Sequence, residues 1–199
     1  MDDLSNCEKN KTGNMVLILS GSPRKGGNSD TLCDQFGKGA KESGHTVEKI
    51  WLRDKKIGFC VACYACKKNG HCKQNDDMAE ILDKMIKADV IVLATPVYFY
   101  TMDAQMKVLI DRTLPRYTEI RNKKFYFIAT AAAGKALMER TIDGLCGFTD
   151  CLPGAAVKGV IYGAGACRQE CQRRLIRTAS SNRYNRCSRS SPAAMIRLL

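Results

Sequence analysis

The 199-residue sequence predicts an α/β fold: a single domain built on a doubly wound, five-stranded parallel sheet. Three observations predict it. Short, continuously apolar runs recur along the chain, as in strands buried on both faces. Segments with apolar residues at helical spacing lie between them. Turn residues mark the changeovers.

Met15–Ser20 (MVLILS) is the first such run. The loop Gly21–Asn28 follows, and a helix is expected from about Ser29, with Leu32, Cys33, Phe36 and Ala40 on one face and Gly44 as its stop. Thr46–Leu52 reads as the second strand. After a cysteine-rich insert, 58–75, Asp76 and Asp77 are placed to cap a helix whose apolar stripe is Met78, Ile81, Leu82, Met85 and Ile86. Val90–Ala94 is the third strand and runs into Thr95–Tyr100. A helix from Asp103 stops before Pro115. Lys124–Ala131 is the fourth strand, a helix over Leu137, Met138, Thr141 and Leu145 comes next, and Val157–Tyr162 is the fifth strand. Five strands in βαβ succession match the strand order 2-1-3-4-5, in which ligands sit beyond the carboxyl ends of the strands. Here those ends are the loops after residues 20, 94 and 130.

The formal charge of +12 is unevenly distributed. Residues 1–165 carry 24 basic and 19 acidic side chains, net +5, whereas 166–199 carry eight Arg against Glu170 alone, net +7. The body is therefore only mildly basic, which suits a small anionic cofactor and weakens a nucleic-acid reading. The flanks differ in composition from the domain at 14–165: residues 1–13 are a polar leader, and 166–199 form an atypical tail rich in Arg, Ser and Cys. No secretory signal is expected and no apolar run approaches membrane-spanning length, so a cytoplasmic protein is expected. Of eleven cysteines, Cys60, Cys63, Cys66 and Cys72 cluster tightly. Without a signal peptide, such a cluster points to metal or redox chemistry rather than disulfides.

The first loop, GSPRKGGNS, joins a buried strand to a helix N-terminus, where free N–H groups and the helix dipole favour an anion. Gly27 permits close backbone approach. Ser22, Asn28, Ser29 and Thr31 can donate hydrogen bonds, and Arg24 can give a charge-assisted one. Neither the dinucleotide nor the triphosphate glycine pattern is present, so a terminal monophosphate fits better. At the same sheet edge, Pro96, Val97, Tyr98 and Phe99 combine flat apolar surface with exposed backbone amides, as a planar heteroaromatic ring needs. The two loops would hold opposite ends of one mononucleotide.

GSPRKGGNSDTL followed by ATPVYFYTMDAQMKVLIDR resembles the NAD(P)H-dependent FMN reductase family of flavodoxin-like proteins. The intervening CVACYACKKNGHCKQNDDM resembles its iron–sulfur flavoprotein branch. The resemblance covers roughly 14–165. It implies an FMN whose phosphate meets Ser22, Arg24, Asn28, Ser29 and Thr31, and whose isoalloxazine meets Pro96, Val97, Tyr98 and Phe99. The loop from Thr130 to Gly134 would complete the pocket. It also implies a homodimer or homotetramer. Two departures stand out: the tail lacks the family's Trp-containing loop and last helix, and position 62 is Ala where many relatives have Gly.

The cysteine spacing is C-x2-C-x2-C-x5-C. It is similar to [4Fe–4S] ligation in ferredoxins, with a longer last gap and no Pro after Cys72. Gly70 permits the turn, and Lys55, Lys56, Lys67, Lys68 and Lys73 would stabilise thiolates. Three readings remain open: an iron–sulfur cluster, a four-cysteine zinc site, or idle thiols. His71 is placed at the loop surface rather than among the ligands. The expected activity is an FMN-dependent oxidoreductase with NAD(P)H or ferredoxin as donor. The acceptor would be a quinone, a nitro or azo compound, or free flavin. No side chain is nominated as a general acid. A non-catalytic electron carrier is the alternative.

Overall fold

The structure, a computed structural model, describes residues 13–166. Its elements are β1 (Met15–Ser20), α1 (Asn28–Glu42), β2 (Thr46–Trp51), α2 (Ala65–Asn69), α3 (Met78–Lys87), β3 (Val90–Tyr98), β4 (Thr101–Met102), α4 (Ala104–Asp111), β5 (Lys124–Thr130), α5 (Glu139–Asp150) and β6 (Ala156–Gly163). The main sheet has the order β2-β1-β3-β5-β6, with every pairing along it parallel. With the short β4 set aside, this is the flavodoxin-like order expected.

Side-chain alternation along the strands divides the core in two. Val16, Ile18, Val90, Val92, Tyr126 and Ile128 face Leu32, Cys33, Phe36 and Ala40 of α1. Leu17, Leu19, Ile91, Leu93, Phe125 and Phe127 face the other way, onto Met78, Ile81, Leu82 and Met85 of α3, Met106 and Leu109 of α4, and Ile142 and Leu145 of α5. The central strands are buried on both sides, hence their unbroken apolar runs. Gly44 ends α1 with φ +83°, a conformation that costs a side-chain-bearing residue more.

Three local expectations are corrected. The third strand does not stop at Ala94 but continues to Tyr98, because Thr95 and Pro96 still pair with Ala129 and Thr130 of β5. Val97 and Tyr98 then pair antiparallel with β4. β1 ends opposite Ala94, so Pro96 lies beyond the stretch flanked on both sides, and its missing N–H interrupts less of the ladder. Asp77 occupies the N-cap of α3 but makes no side-chain cap there; its carboxylate accepts from Lys56 N instead, and Asp76 accepts from Met78 N. The segment around Leu137 and Met138 is a short 3-10 turn over Lys135–Met138 rather than part of α5, and Leu137 is exposed. The leader 1–12 and the tail from 167 lie outside the described residues.

Asp103 caps α4: its Oδ1 accepts from Met106 N at 3.0 Å, while Oδ2 is buried without a hydrogen-bond partner. Burial outweighs the capping bond and pushes this carboxyl up to about 6. The native state then holds the proton more tightly than the unfolded chain does. The stability contributed by this group is therefore present at low pH and lost as pH rises from about 4 to about 6. Asp103→Asn keeps the capping oxygen and removes the charge. Urea unfolding across pH 4–7 is expected to show the variant gaining on the wild type through that window, by about 2–3 kcal/mol above pH 6.

Candidate functional site

The loop between β1 and α1 is anchored at both ends. Gly21 N donates to Ala94 O at 2.8 Å, which ties the loop to β3. A side chain at Gly21 would meet the Asp103 carboxylate at 2.5 Å, so this position requires glycine. Ser22 Oγ donates to Arg24 O at 3.1 Å and accepts from Arg24 N at 3.3 Å, forming a tight turn. Gly26 has φ +70° and donates its N–H to Asp30 Oδ2 at 2.7 Å. Gly27 then sits at the N-cap of α1.

Asp30 organises this corner. Besides Gly26 N–H, it accepts from Trp51 Nε1 at 2.8 Å and pairs with Lys49 Nζ, which also pairs with Asp34 at 2.5 Å. Burial alone would raise the Asp30 carboxyl, but the bonds from Lys49, Gly26 and Trp51 outweigh it and hold the carboxyl below its usual value. Lys49 also lies over the Trp51 ring, 4.6 Å from its centroid. Arg53, just past β2, donates to Pro23 O at 2.6 Å and braces the loop from outside.

The ends of β1, β3 and β5 open onto one cleft of about 690 Å³. Ser22, Arg24, Gly27, Asn28 and Ser29 line it from the first loop; Pro96, Val97 and Tyr98 line it from β3; Thr130 lines it from β5. Ser29 Oγ and Thr130 Oγ1 hydrogen-bond at 2.6 Å, joining two of these walls. Asn28 Nδ2 donates to Ala166 O at 2.9 Å, and its Oδ1 is buried without a partner, an acceptor that a ligand hydroxyl can satisfy. Thr31 is drawn into the helix, its N–H bonded to Gly27 O, and does not line the cleft. Phe99 does not line it either: it is 98% exposed, on the turn after β3, with φ +48°. Ala131 and Ala132 line the cleft from the 130–134 loop expected to complete it, whereas Pro23, Lys25, Arg53 and Ala166 line it and were not foreseen. Arg53 carried a usable signal, since it lies at the carboxyl end of a strand.

Cys60, Cys63, Cys66 and Cys72 line a second cavity, of about 120 Å³. Ala62 and Tyr64 turn the chain with φ +52° and +57°, and Gly70 ends α2 with φ +70°. Among the described residues, no three His, Cys, Asp or Glu side chains converge on a single-ion position. One zinc ion with Zn–S of about 2.3 Å needs thiolates roughly 3.8 Å apart; a multi-iron cluster spans a wider set. His71 lies outside this cavity, with Nδ1 2.8 Å from Asn69 O. Arg112, also not foreseen, pins the insert. Its Nη1 donates to Gly58 O, Gln74 Oε1 and Asp76 Oδ2, and Nη2 donates to Asp76 Oδ1. Of the apolar residues lining the cavity, Val61, Tyr64 and Leu114 are exposed.

A flavodoxin-like sheet with a phosphate-type loop and an apolar wall in one cleft defines a mononucleotide-binding α/β protein. The family model described as NADPH-dependent FMN reductase matches residues 14–156, and the chain belongs to that family. It is 39% identical over 135 residues to an iron-sulfur flavoprotein of Methanocaldococcus jannaschii, a match covering 67% of this chain and 70% of that protein. It is 44% identical over 97 residues to an iron-sulfur flavoprotein of Archaeoglobus fulgidus, covering 49% of this chain and 44% of that one. A solved NAD(P)H:quinone oxidoreductase from Methanothermobacter marburgensis shares the fold at TM-score 0.62 and 20% identity, covering 83% of this chain and 92% of its own.

The Asp30–Lys49 pair gives a direct test of how the first loop is held. Asp30 is buried and Lys49 partly so. Lys49→Met leaves Asp30 ionised with only its Gly26 and Trp51 donors, and is expected to cost about 3 kcal/mol in urea unfolding at pH 7. The loss should shrink as pH falls through the carboxylate range, because protonated Asp30 no longer needs the cation.

Proposed function

We propose that this chain is an FMN-dependent NAD(P)H oxidoreductase of the iron–sulfur flavoprotein type, passing electrons to a small acceptor such as a quinone, a nitro or azo compound, or free flavin. The observation that carries this reading is the shared cleft: Arg24 and the N-terminus of α1 lie along one wall, Pro96–Tyr98 along another. Its size is right for a mononucleotide cofactor. Bound FMN would supply hydride acceptance and onward transfer of one or two electrons. The chain's own residues do the binding. Arg24 and the first-turn N–H groups of α1 receive the phosphate. Asn28 Oδ1 accepts from a hydroxyl of the ribityl chain. Val97 and Tyr98 give apolar contact to the ring, and their backbone amides stabilise negative charge on its polar edge.

Cys60, Cys63, Cys66 and Cys72 would hold a [4Fe–4S] cluster. The compact C-x2-C-x2-C-x5-C spacing and the cavity that all four cysteines line support this over zinc. Ferredoxin as a donor fits the exposed lysines of the insert, Lys67, Lys68 and Lys73. A homodimer or homotetramer fits the exposed aromatic surface of Tyr98, Phe99 and Tyr100 beside the cleft. No helix among the described residues is long and apolar enough to cross a membrane, consistent with a cytoplasmic role.

Anaerobic NADPH added to FMN-loaded protein is expected to bleach the flavin absorbance. An unbleached flavin that nonetheless exchanges electrons with reduced ferredoxin would favour the electron-carrier alternative. Arg24→Ala is expected to weaken FMN binding about 10- to 100-fold, measured by quenching of flavin fluorescence, since a charge-assisted bond contributes about 1.5–3 kcal/mol. Anaerobic reconstitution with iron and sulfide should add a broad visible shoulder that bleaches on reduction, and Cys63→Ala should abolish it while leaving FMN affinity unchanged.

A further inference from the structure

Arg112 is a cation held inside the protein at the wall of the cysteine cavity. Its side chain is 2% exposed, and it lines the cavity together with all four cysteines. Nη1 and Nη2 are committed to Gly58 O, Gln74 and Asp76. Nε is buried with no hydrogen-bond partner. An unpaired guanidinium N–H is costly to keep in the interior, and native proteins seldom leave one without a function. The Cys72 sulfur lies close enough to bear on the Arg112 charge.

Resting on the reading of these cysteines as cluster ligands, we propose that Arg112 is a positioning residue that orients Cys72 and sets the reduction potential of the cluster, its Nε–H donating to the Cys72 thiolate. A cluster that takes up one electron becomes more negative. A donor and a positive charge beside a ligating sulfur favour that reduced state and raise the potential. Arg112 does this from a buried position, where its field is poorly screened. Lys67 and Lys68 are exposed and act through solvent, and Lys73, though it lines the cavity, is exposed as well and so screened more than Arg112.

Asp76 separates an electrostatic role from a structural one. It braces the same insert, accepting from Gly58 N at 2.9 Å and Met78 N at 3.1 Å, but carries the opposite charge. A merely structural role moves the potential the same way when either residue is lost. An electrostatic role moves it in opposite directions.

The test uses the full chain, FMN-loaded and reconstituted anaerobically with iron and sulfide. Dithionite potentiometry follows the cluster by electron paramagnetic resonance and the flavin by visible absorbance. Arg112→Gln is expected to shift the cluster potential to more negative values with the flavin potential unchanged. Arg112→Lys, which keeps a charge without the Nε donor, shifts it less far in the same direction. Asp76→Asn shifts it to more positive values. A wild-type cluster potential in Arg112→Gln overturns the proposal, as does a shift of the same sign in Arg112→Gln and Asp76→Asn. Should Arg112→Gln not retain iron, Arg112→Lys decides: a negative shift supports the role and a wild-type potential overturns it. A wild-type chain that takes up no iron refutes the cluster reading itself, a result reached before any substitution is made.

Discussion

Parallel pairing of β1 with β3 is the constraint on which the site depends. Ser20 lies opposite Ala94, so the two loops that follow leave the sheet side by side. Gly21 N bonds to Ala94 O, and the Asp103 carboxylate packs where a Gly21 side chain would be. Asp103 in turn caps α4. One corner thereby joins the first loop, the third strand and the fourth helix. The cost of that junction is a buried carboxyl with one unpaired oxygen, of a kind common where a fold serves a ligand rather than its own stability.

The two candidate centres share the helix α4 as a spacer. Asp103 at its N-terminus abuts Gly21 of the first loop, and Arg112 at its C-cap lines the cysteine cavity. At 1.5 Å per residue these two ends stand roughly 13 Å apart. The eight helical residues therefore set the relation between the flavin-type cleft and the insert, and Met106 and Leu109 secure that relation by packing into the core. The insert itself contributes little apolar burial. It is held instead by ionic and hydrogen-bonded contacts to one buried arginine, and Asp76 is kept ionised there: burial would raise its carboxyl, but the Arg112 bond and two backbone N–H groups outweigh that.

Charge is handled by the same means in the first loop. An acidic residue one turn into α1 stands close to where a phosphate is expected, and Lys49 offsets it while Trp51 Nε1 and Gly26 N–H satisfy its remaining lone pairs. The loop conformation thus exists before any anion arrives, which lowers the ordering cost of binding.

Composition and periodicity determined the α/β class, the five parallel strands and their order, because double burial leaves an unbroken apolar run in each strand. Strand pattern together with the family resemblance also pointed to most of the cleft: Ser22, Arg24, Asn28 and Ser29 follow β1, while Pro96, Val97 and Thr130 lie at the carboxyl ends of β3 and β5, and a parallel sheet gathers those ends on one edge. Tertiary structure alone decided what depends on side-chain direction and long-range partners. Thr31 turned into the helix and Phe99 out to solvent, since neighbours in sequence point different ways on a helix and after a turn. Asp77 gave up its capping role to a distant backbone N–H. Arg112, 40 residues from Cys72 and unremarkable in its own helix, became the wall of the cysteine cavity. Local spacing records what lies within a few residues of a position. It holds no trace of a partner that only the packing of α4 against the insert brings near.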